Sequence, residues 1–504
     1  MTNTLLHRIP RGPACLIAGA LLSLAFAPYH AAFLALLAPA VLAGAWLNAS
    51  PRVAFARGYL FGLGLFGTGV YWVYISINLF GGVNFLIAGL LTVLFVAFLA
   101  LYPALAGWLS RRLFGKSPPA LYLLAVIPAL WLLTEWLRGW LFTGFPWLDL
   151  GYSQIDTVLA GLAPLAGVYA VSLATVFTAC ALTALVVLPA RGRATAVLMV
   201  IAIWAGAWWA GRQPWTGDQG RDISVAVVQG AVPQSVKWHP EMLLRSEALY
   251  RNLTLPYLGA DLIVWPETAI PALYRQVEGY INALSEQARR HGTALVMGIP
   301  VQDPGSGRYY NALLALNGQR EFYYKKHLVP FGEYIPFADT LGGLLEFLHI
   351  PMSDFSPGPD VRPLLHVNGM ILGVSICYED TFGEEVIQAM PDAGVLVNVS
   401  NDAWFGDSSA PHQHLQMARM RALETGRYLL RATNTGVSAV IDAHGNLVKT
   451  SREFKPQVLT GRIPLRRGLT PYARWGNYPV VTLAFLMLIG AFVVQRRRSE
   501  VNSE

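Results

Sequence analysis

The sequence predicts a polytopic α-helical membrane bundle that carries an α/β layered domain, and three observations predict it. The chain is 54% hydrophobic and only 13% charged, with a mean hydropathy of +0.43, whereas a soluble domain averages about 25% charged residues. Apolar stretches approaching the roughly 20 residues a bilayer crossing needs crowd the first 212 positions and return near the C-terminus. Between them, 211–475 changes to short apolar runs interleaved with amphipathic ones, the pattern of strands alternating with helices.

Seven candidate spans precede residue 213, at 12–28, 31–49, 57–78, 84–110, 119–138, 160–190 and 194–211, and an eighth covers 478–495. Arg8 and Arg11 precede the first, and Arg52 and Arg57 follow the second. Arg111, Arg112 and Lys116 follow the fourth, Arg191 and Arg193 the sixth, and Arg496 to Arg498 the eighth. The alternate turns at 29–30 and 79–83 carry no Lys or Arg. The positive-inside bias therefore puts both termini in the cytoplasm and 211–475 outside. The expected divisions are a membrane domain at 1–212, an outer domain at 213–475, and a last span with its cytoplasmic tail at 476–504.

A net charge of +7 does not indicate nucleic acid, because the basic residues cluster in the short turns between spans. Residues 1–28 have the basic start and the small residues of a signal peptide, but a second span follows at once, which argues for retention. No span centre carries an Asp, Lys or Arg that would mark an ion or polar-solute pathway, which argues against a transporter. Glu135 and Arg138, spaced i and i+3, read as a structural pair at the outer end of the fifth span.

In the outer block, strands are expected at 223–229, 262–265, 293–299, 310–316, 321–326, 370–377, 395–400, 429–433 and 438–441. Helices are expected at 241–255, 275–290, 383–390 and 414–428, and Ala443-His444-Gly445-Asn446 turns a hairpin. From Phe331 to Pro363 the rhythm breaks, yet Phe337, Leu341, Leu345 and Phe347 keep the segment apolar. A connection of that length is either a functional lid or a packed element. A second apolar tip is Ala403-Trp404-Phe405-Gly406; both could dip into a bilayer surface.

Of three cysteines, Cys15 and Cys180 lie in apolar spans and only Cys377 lies in the outer block, at the tip of a buried strand. In an oxidising compartment structural cysteines come in pairs, so a lone thiol there is either an inert core residue or a nucleophile. A nucleophilic thiol needs a base to take its proton and a positive group for the charge that develops on a carbonyl. Glu267 follows the second strand, and Lys325 and Lys326 end the strand at 321–326. No G-x-S-x-G elbow, HExxH or CxxC pattern is present. Lacking a third close ligand, His412 and His414 read as surface or substrate-lining groups rather than as a metal site.

Trp265-Pro266-Glu267, Tyr324-Lys325-Lys326-His327-Leu328-Val329-Pro330-Phe331-Gly332-Glu333 and Ile376-Cys377-Tyr378-Glu379 resemble the Glu–Lys–Cys signatures of the nitrilase superfamily. The resemblance is closer to its membrane branch, the apolipoprotein N-acyltransferases of Gram-negative bacteria. It spans nearly the whole chain and takes in Gly144-Phe145-Pro146-Trp147, Gly151-Tyr152-Ser153-Gln154 and Ser400 to Gly406. Gln416 to Ala422 and Gly468 to Arg474 belong to it as well.

The resemblance implies a nitrilase-like αββα sandwich on an eight-span bundle in the bacterial inner membrane, with the sandwich in the periplasm. It implies Cys377 as the acyl nucleophile, Glu267 as the base and Lys325 as the stabiliser of the tetrahedral intermediate. It also settles the lysine, since Lys325 and Lys326 point to opposite faces of a strand. Trp238, Asn311, Glu333, Tyr378 and Glu379 are carried over as supporting residues, and Glu333 and Glu379 read as partners of Lys325. Trp238 reads equally as a substrate contact or as an aromatic at the membrane surface.

The implied partners are a phospholipid acyl donor, phosphatidylethanolamine by preference, and a diacylglyceryl-apolipoprotein acceptor, with no cofactor, no metal and a monomeric enzyme. The rival expectation is a membrane-tethered amidase or nitrile hydrolase using the same three groups. A catalytically dead lipid-binding scaffold is a third, disfavoured by the intact Glu267, Lys325 and Cys377.

Overall fold

The computed structural model describes residues 11–317, 319–334 and 354–501. Most of the apolar connection discussed above, including Phe337, Leu341 and Leu345, lies outside the described residues. Two compact units emerge. One comprises 1–73, 86–213 and 475–504, the other 74–85 and 214–474.

The first unit is all helix. Among the described residues, five helices are long and apolar enough to cross a membrane: Phe85–Phe114, Pro119–Arg138, Val158–Val187, Ala190–Ala210 and Tyr478–Arg498. Pro51–Gly69 and Trp72–Phe80 form a bent pair that qualifies only if taken together, and Arg11–Ala25 and Leu34–Trp46 are shorter apolar helices. Helices thus stand at all eight expected places, but three of them do not meet the length of a straight span. Leu86, Leu90, Leu198 and Ile489 point outward, as lipid-facing residues do, while small residues line the contacts between helices. At Gly19 a Cβ would lie 2.0 Å from the Phe61 carbonyl oxygen, and at Gly64 it would lie 2.1 Å from that of Leu16. Those two glycines let the helix from Arg11 and the helix from Pro51 touch backbone to backbone.

Glu135 and Arg138 are both buried but are not paired as the i, i+3 spacing suggested. Arg138 reaches Asp149 at 2.6 Å and the carbonyls of Phe145 and Trp147, while Glu135 accepts from Trp131 Nε1 and the Leu150 N–H. A buried guanidinium takes the partner that satisfies several of its donors, and the returning turn after the helix supplies it.

The second unit contains two six-stranded sheets. In the first, the order is β12 (Gln457–Arg467), β1 (Gly217–Gln229), β2 (Leu262–Val264), β3 (Ala294–Gln302), β4 (Tyr309–Leu316) and β5 (Arg320–Tyr324). In the second it is β11 (Leu447–Thr450), β10 (Ala439–Ile441), β9 (Leu429–Thr433), β8 (Val395–Ser400), β7 (Met370–Ile376) and β6 (Leu364–Val367). β1, β2 and β3 run parallel, as do β7, β8 and β9; the flanking strands pair antiparallel.

The inner faces of both sheets share one core, in which Val225, Val264 and Val296 meet Leu372, Val374 and Val397. A second core lies between the first sheet and helices Pro240–Thr254 and Glu278–Arg290, through Tyr250, Ile281 and Leu284. A third lies under helix Ala410–Thr425, through Leu415, Ala418 and Ala422. Helix, sheet, sheet and helix therefore stack as an αββα sandwich. Continuous apolar strands such as Val395–Ser400 are what burial on both faces demands.

Candidate active site

In layered α/β folds, functional groups gather beyond the carboxyl ends of parallel strands, and both sheets obey this. Glu267 follows β2, where Pro266 ends the pairing, and Cys377 follows β7. Asn311 sits on β4, and Lys325 lies just past β5, with its N–H bonded to the Asn311 carbonyl at 2.8 Å. Cys377 takes a positive φ of 51°, a conformation that costs a non-glycine residue of order 1 kcal/mol and is found where a side chain must be aimed. Gly298 on β3 lies against Glu267 so closely that a Cβ there would come within 2.5 Å of the Glu267 Cα.

The first sheet supplies a string of polar groups. Asn311 Nδ2 donates to Glu267 at 2.6 Å and to Glu333 at 3.0 Å, and Lys325 Nζ pairs with Glu333 at 2.7 Å. Glu267, Asn311 and Lys325 are buried. Burial would lower the Lys325 ammonium, but Glu333, Glu267 and Cys377 together hold it well above the usual lysine range, so it stays charged. Burial raises Glu267 above its usual range, opposed first by Lys325. Burial and the Glu267 carboxylate push the Cys377 thiol up, against Lys325 and the nearby Ser400 hydroxyl. A thiol so placed keeps its proton until a nearby base removes it, and among the described residues the Glu267 Oε2 atom has no hydrogen-bond partner.

Glu333 is thus a direct ion-pair partner of Lys325, whereas Glu379 makes no ion pair with it among the described residues and feels only its charge, which opposes the upward push of burial on the Glu379 carboxyl. Glu379 accepts from Tyr323 Oη at 2.9 Å, from the N–H groups of Lys326 at 2.7 Å and His327 at 3.3 Å, and from the Ile376 N–H at 2.8 Å. It ties the segment after β5 to the end of β7, fixing the backbones that carry Lys325 and Cys377. Tyr378 is buried, its ring edge-on to His327 and Phe382. Trp238 is 39% exposed at the end of the short helix Gln234–Lys237. The tip at 403–406 is half-covered rather than bare, since Ser76 Oγ donates to the Trp404 carbonyl and Phe80 packs edge-on against its ring.

Sequence reasoning missed two features. Lys237 is fully buried, its ammonium has no hydrogen-bond partner among the described residues, and burial lowers it to about 8, partly offset by Glu267. His414 is not at the surface: it is buried between Asp380 at 2.8 Å and Asp402 at 3.0 Å, both of which also bind Arg431. His412, by contrast, is a partly exposed partner of Glu453. Cys377, Asp402 and His414 offer ligand atoms within 4.8 Å of one another, but both ring nitrogens of His414 are already engaged by carboxylates. A polar helix whose face turns inward gives no amphipathic signal that would have located His414.

Two family profiles cover the chain in succession. One described as the apolipoprotein N-acyltransferase N-terminal domain matches 18–181, and one described as carbon-nitrogen hydrolase matches 224–469. The chain is 47% identical over 485 residues to an apolipoprotein N-acyltransferase of Methylococcus capsulatus, covering 96% of each. The chain belongs to the apolipoprotein N-acyltransferase family. Proteins of the same name from Pseudomonas syringae pv. tomato, 42% identical over 97% of both chains, and from Coxiella burnetii, 41% identical over 95% of this chain and 99% of that one, match along its length as well. Family members thus combine an apolar helical portion with a carbon-nitrogen hydrolase domain, and the second unit's two sheets are that domain.

Proposed function

We propose that the chain transfers a fatty acyl group from a phospholipid to the N-terminal amine of a diacylglyceryl-cysteine on apolipoproteins, by way of a thioester on Cys377. Lipoprotein N-acylation follows from family membership along the whole chain. The observation that supports the residue roles is that Cys377, Glu267 and Lys325 each stand just past the end of a strand, with Glu267 and Lys325 linked through Asn311 and Glu333.

In the first half-reaction Glu267 Oε2 takes the thiol proton and the thiolate attacks the ester carbonyl. The ammonium of Lys325, together with the Tyr378 N–H, meets the oxyanion of the tetrahedral intermediate. Collapse breaks the carbonyl–oxygen bond, and the departing lysophospholipid oxygen recovers the proton from Glu267. In the second half-reaction the acceptor amine attacks the thioester and gives up a proton to Glu267. Cys377 leaves as thiolate and is reprotonated, which closes a ping-pong cycle.

Glu333 keeps Lys325 charged, Asn311 holds Glu267 and Glu333 apart at fixed spacing, and Trp238 lines the way in. The preferred donor is phosphatidylethanolamine and the enzyme acts as a monomer. The eight apolar stretches cross the inner membrane with both termini cytoplasmic, and 213–475 faces the periplasm. The arginines that follow alternate spans support that orientation. An amidase reading is disfavoured, because an acyl-enzyme made for transfer must be kept from water and because the full-length relatives are named as acyltransferases.

Intact-protein mass spectrometry after incubation with phospholipid tests this. A fatty acyl adduct on Cys377, released by hydroxylamine or by an acceptor lipopeptide, is the expected result, with Cys377→Ser inert and Cys15→Ala and Cys180→Ala active. An adduct that forms normally in Cys377→Ser would overturn the assignment.

A further inference from the structure

Beside Cys377, and distinct from Glu267 and Lys325, lies a buried set of ionisable groups that the mechanism above does not use. Asp380 follows Cys377 in the same short turn, Asp402 follows β8, Arg431 lies on β9, and His414 comes from the overlying helix. All four are essentially without solvent contact. Asp380 binds His414 Nε2 at 2.8 Å with one oxygen and Arg431 at 3.1 Å with the other. Asp402 binds His414 Nδ1 and Arg431, both at 3.0 Å, and also accepts from Ser400 Oγ at 2.7 Å. Asn398 joins through Arg431 at 2.6 Å and reaches the Cys377 carbonyl at 3.3 Å.

A ring nitrogen that faces a carboxylate on each side must carry a proton on each side. With both present, the two carboxylates are balanced by one imidazolium and one guanidinium, and the set is neutral. This matters because Asp402 lies within 4.8 Å of the thiol and by itself opposes formation of a thiolate. Ser400 has a single proton to give, to Asp402 or to Cys377. In the structure Ser400 gives it to Asp402, but because His414 and Arg431 bind both Asp402 oxygens the carboxylate can spare that proton when a thiolate forms beside it.

We infer that His414 is a positioning residue of the acylation step, which as an imidazolium between Asp380 and Asp402 cancels the charge beside Cys377 and releases the Ser400 hydroxyl to the nascent thiolate. The groups facing the thiol are then Glu267, Lys325, Asp402 and Ser400, and those facing His414 are Asp380, Asp402 and Arg431. The same pairs hold His414 above the ordinary imidazole range, against burial and Arg431. This role rests on Cys377 as nucleophile, but its test reads the thiol itself and not acyl transfer.

The test is the pH dependence of Cys377 alkylation by iodoacetamide in the full-length protein in detergent, with Cys15→Ala and Cys180→Ala as background. His414→Gln leaves the set one negative charge in excess and should move the profile to higher pH by about one unit, slowing alkylation about tenfold at pH 7. Asp380→Asn leaves one positive charge in excess and should move it the other way. His414→Gln with Asp380→Asn restores neutrality and should return the profile to within about half a unit of the parent. A merely structural role would damage all three variants in one direction. If His414→Gln does not fold, the acid shift of Asp380→Asn decides alone. Absence of that shift, or a double variant no better than His414→Gln, overturns the inference, whereas alkylation that behaves as expected without any acyl adduct would instead count against the acyltransfer chemistry.

Discussion

The two sheets bring differently composed charge clusters to the same thiol. The Glu267–Asn311–Glu333–Lys325 string of the first sheet is open: it carries two carboxylates to one ammonium, and Glu267 Oε2 and Asn311 Oδ1 are buried without partners among the described residues. The Asp380–His414–Asp402–Arg431 set of the second sheet is more nearly closed: every carboxylate oxygen and both ring nitrogens are engaged, and among the described residues Arg431 Nε alone lacks a partner. Buried polar atoms left unmatched are costly, so an open string persists only where something else completes it. A substrate and a migrating proton can. The contrast separates groups whose proton must move during turnover from groups whose protons must stay.

The largest effect should come from breaking the open string at its ends. Glu267→Gln cannot accept the thiol proton and should lower thioester formation by about 10³-fold or more. Lys325→Arg should fare similarly, since a planar guanidinium does not fit where a compact ammonium meets Glu333 at 2.7 Å. Hydroxylamine-released fatty acid measures both. Normal accumulation in Glu267→Gln would remove it from the base role and with it the distinction drawn between the two clusters.

Glu333→Gln tests the middle of the string. The ammonium of Lys325 loses its nearest carboxylate, so its hold on a proton weakens and its alkaline limit moves down towards neutrality. Acylation should fall by roughly 10²-fold, with the loss growing as pH rises. A uniform loss at all pH values would mean that Glu333 only shapes the loop after β5.

Lys237 sharpens the comparison further, being a buried ammonium that neither cluster satisfies. Its folded value of about 8 lies below the reference of 10.5. A base lowered in this way contributes stability that is complete above the reference value and is lost as pH falls through the folded value. Lys237→Met should therefore raise Tm in detergent at pH 7, by at most ~3 kcal/mol in equivalent stability, and flatten the rise otherwise seen between pH 8 and 10.5. Because Lys237 also draws Glu267 down, the acid limb of acylation should move up in the same variant. A Tm lower than the parent's at pH 7 would show that the amine is matched after all.

Much of this was legible in the chain. Buried parallel strands announce themselves as unbroken apolar runs, and β7, β8 and β9 fall within a residue or two of the expected places. β6 and β12 were not foreseen, and β11 only as the return arm of the hairpin turned at 443–446; all three are sheet edges, all of β11 is exposed, and β12 carries Arg462, Arg466 and Arg467. Edge strands need no apolar signature, because solvent can meet their outer face. Glu267, Cys377 and the pair Lys325 and Lys326 were visible because each stands at a strand end, and the family resemblance chose Lys325. His414 and Lys237 were not, since a polar side chain inside a helix looks solvated until the partner carboxylates, distant in sequence, are placed beside it. Glu379, read as a carboxylate partner of Lys325, does feel the lysine's charge, but its hydrogen bonds go to backbone N–H groups and Tyr323, a clamp that the sequence could not show.

The contact of Gly298 with Glu267 reaches beyond this chain. Any side chain at that place on β3 would push against the Glu267 backbone, in a strand with no freedom to recede because β2 and β4 hold it on either side. A relative could keep all three of its glutamate, lysine and cysteine and still be unable to align them. A silent glycine on the neighbouring strand, rather than the reactive residues, would then be the mark that separates a working enzyme from a folded relic.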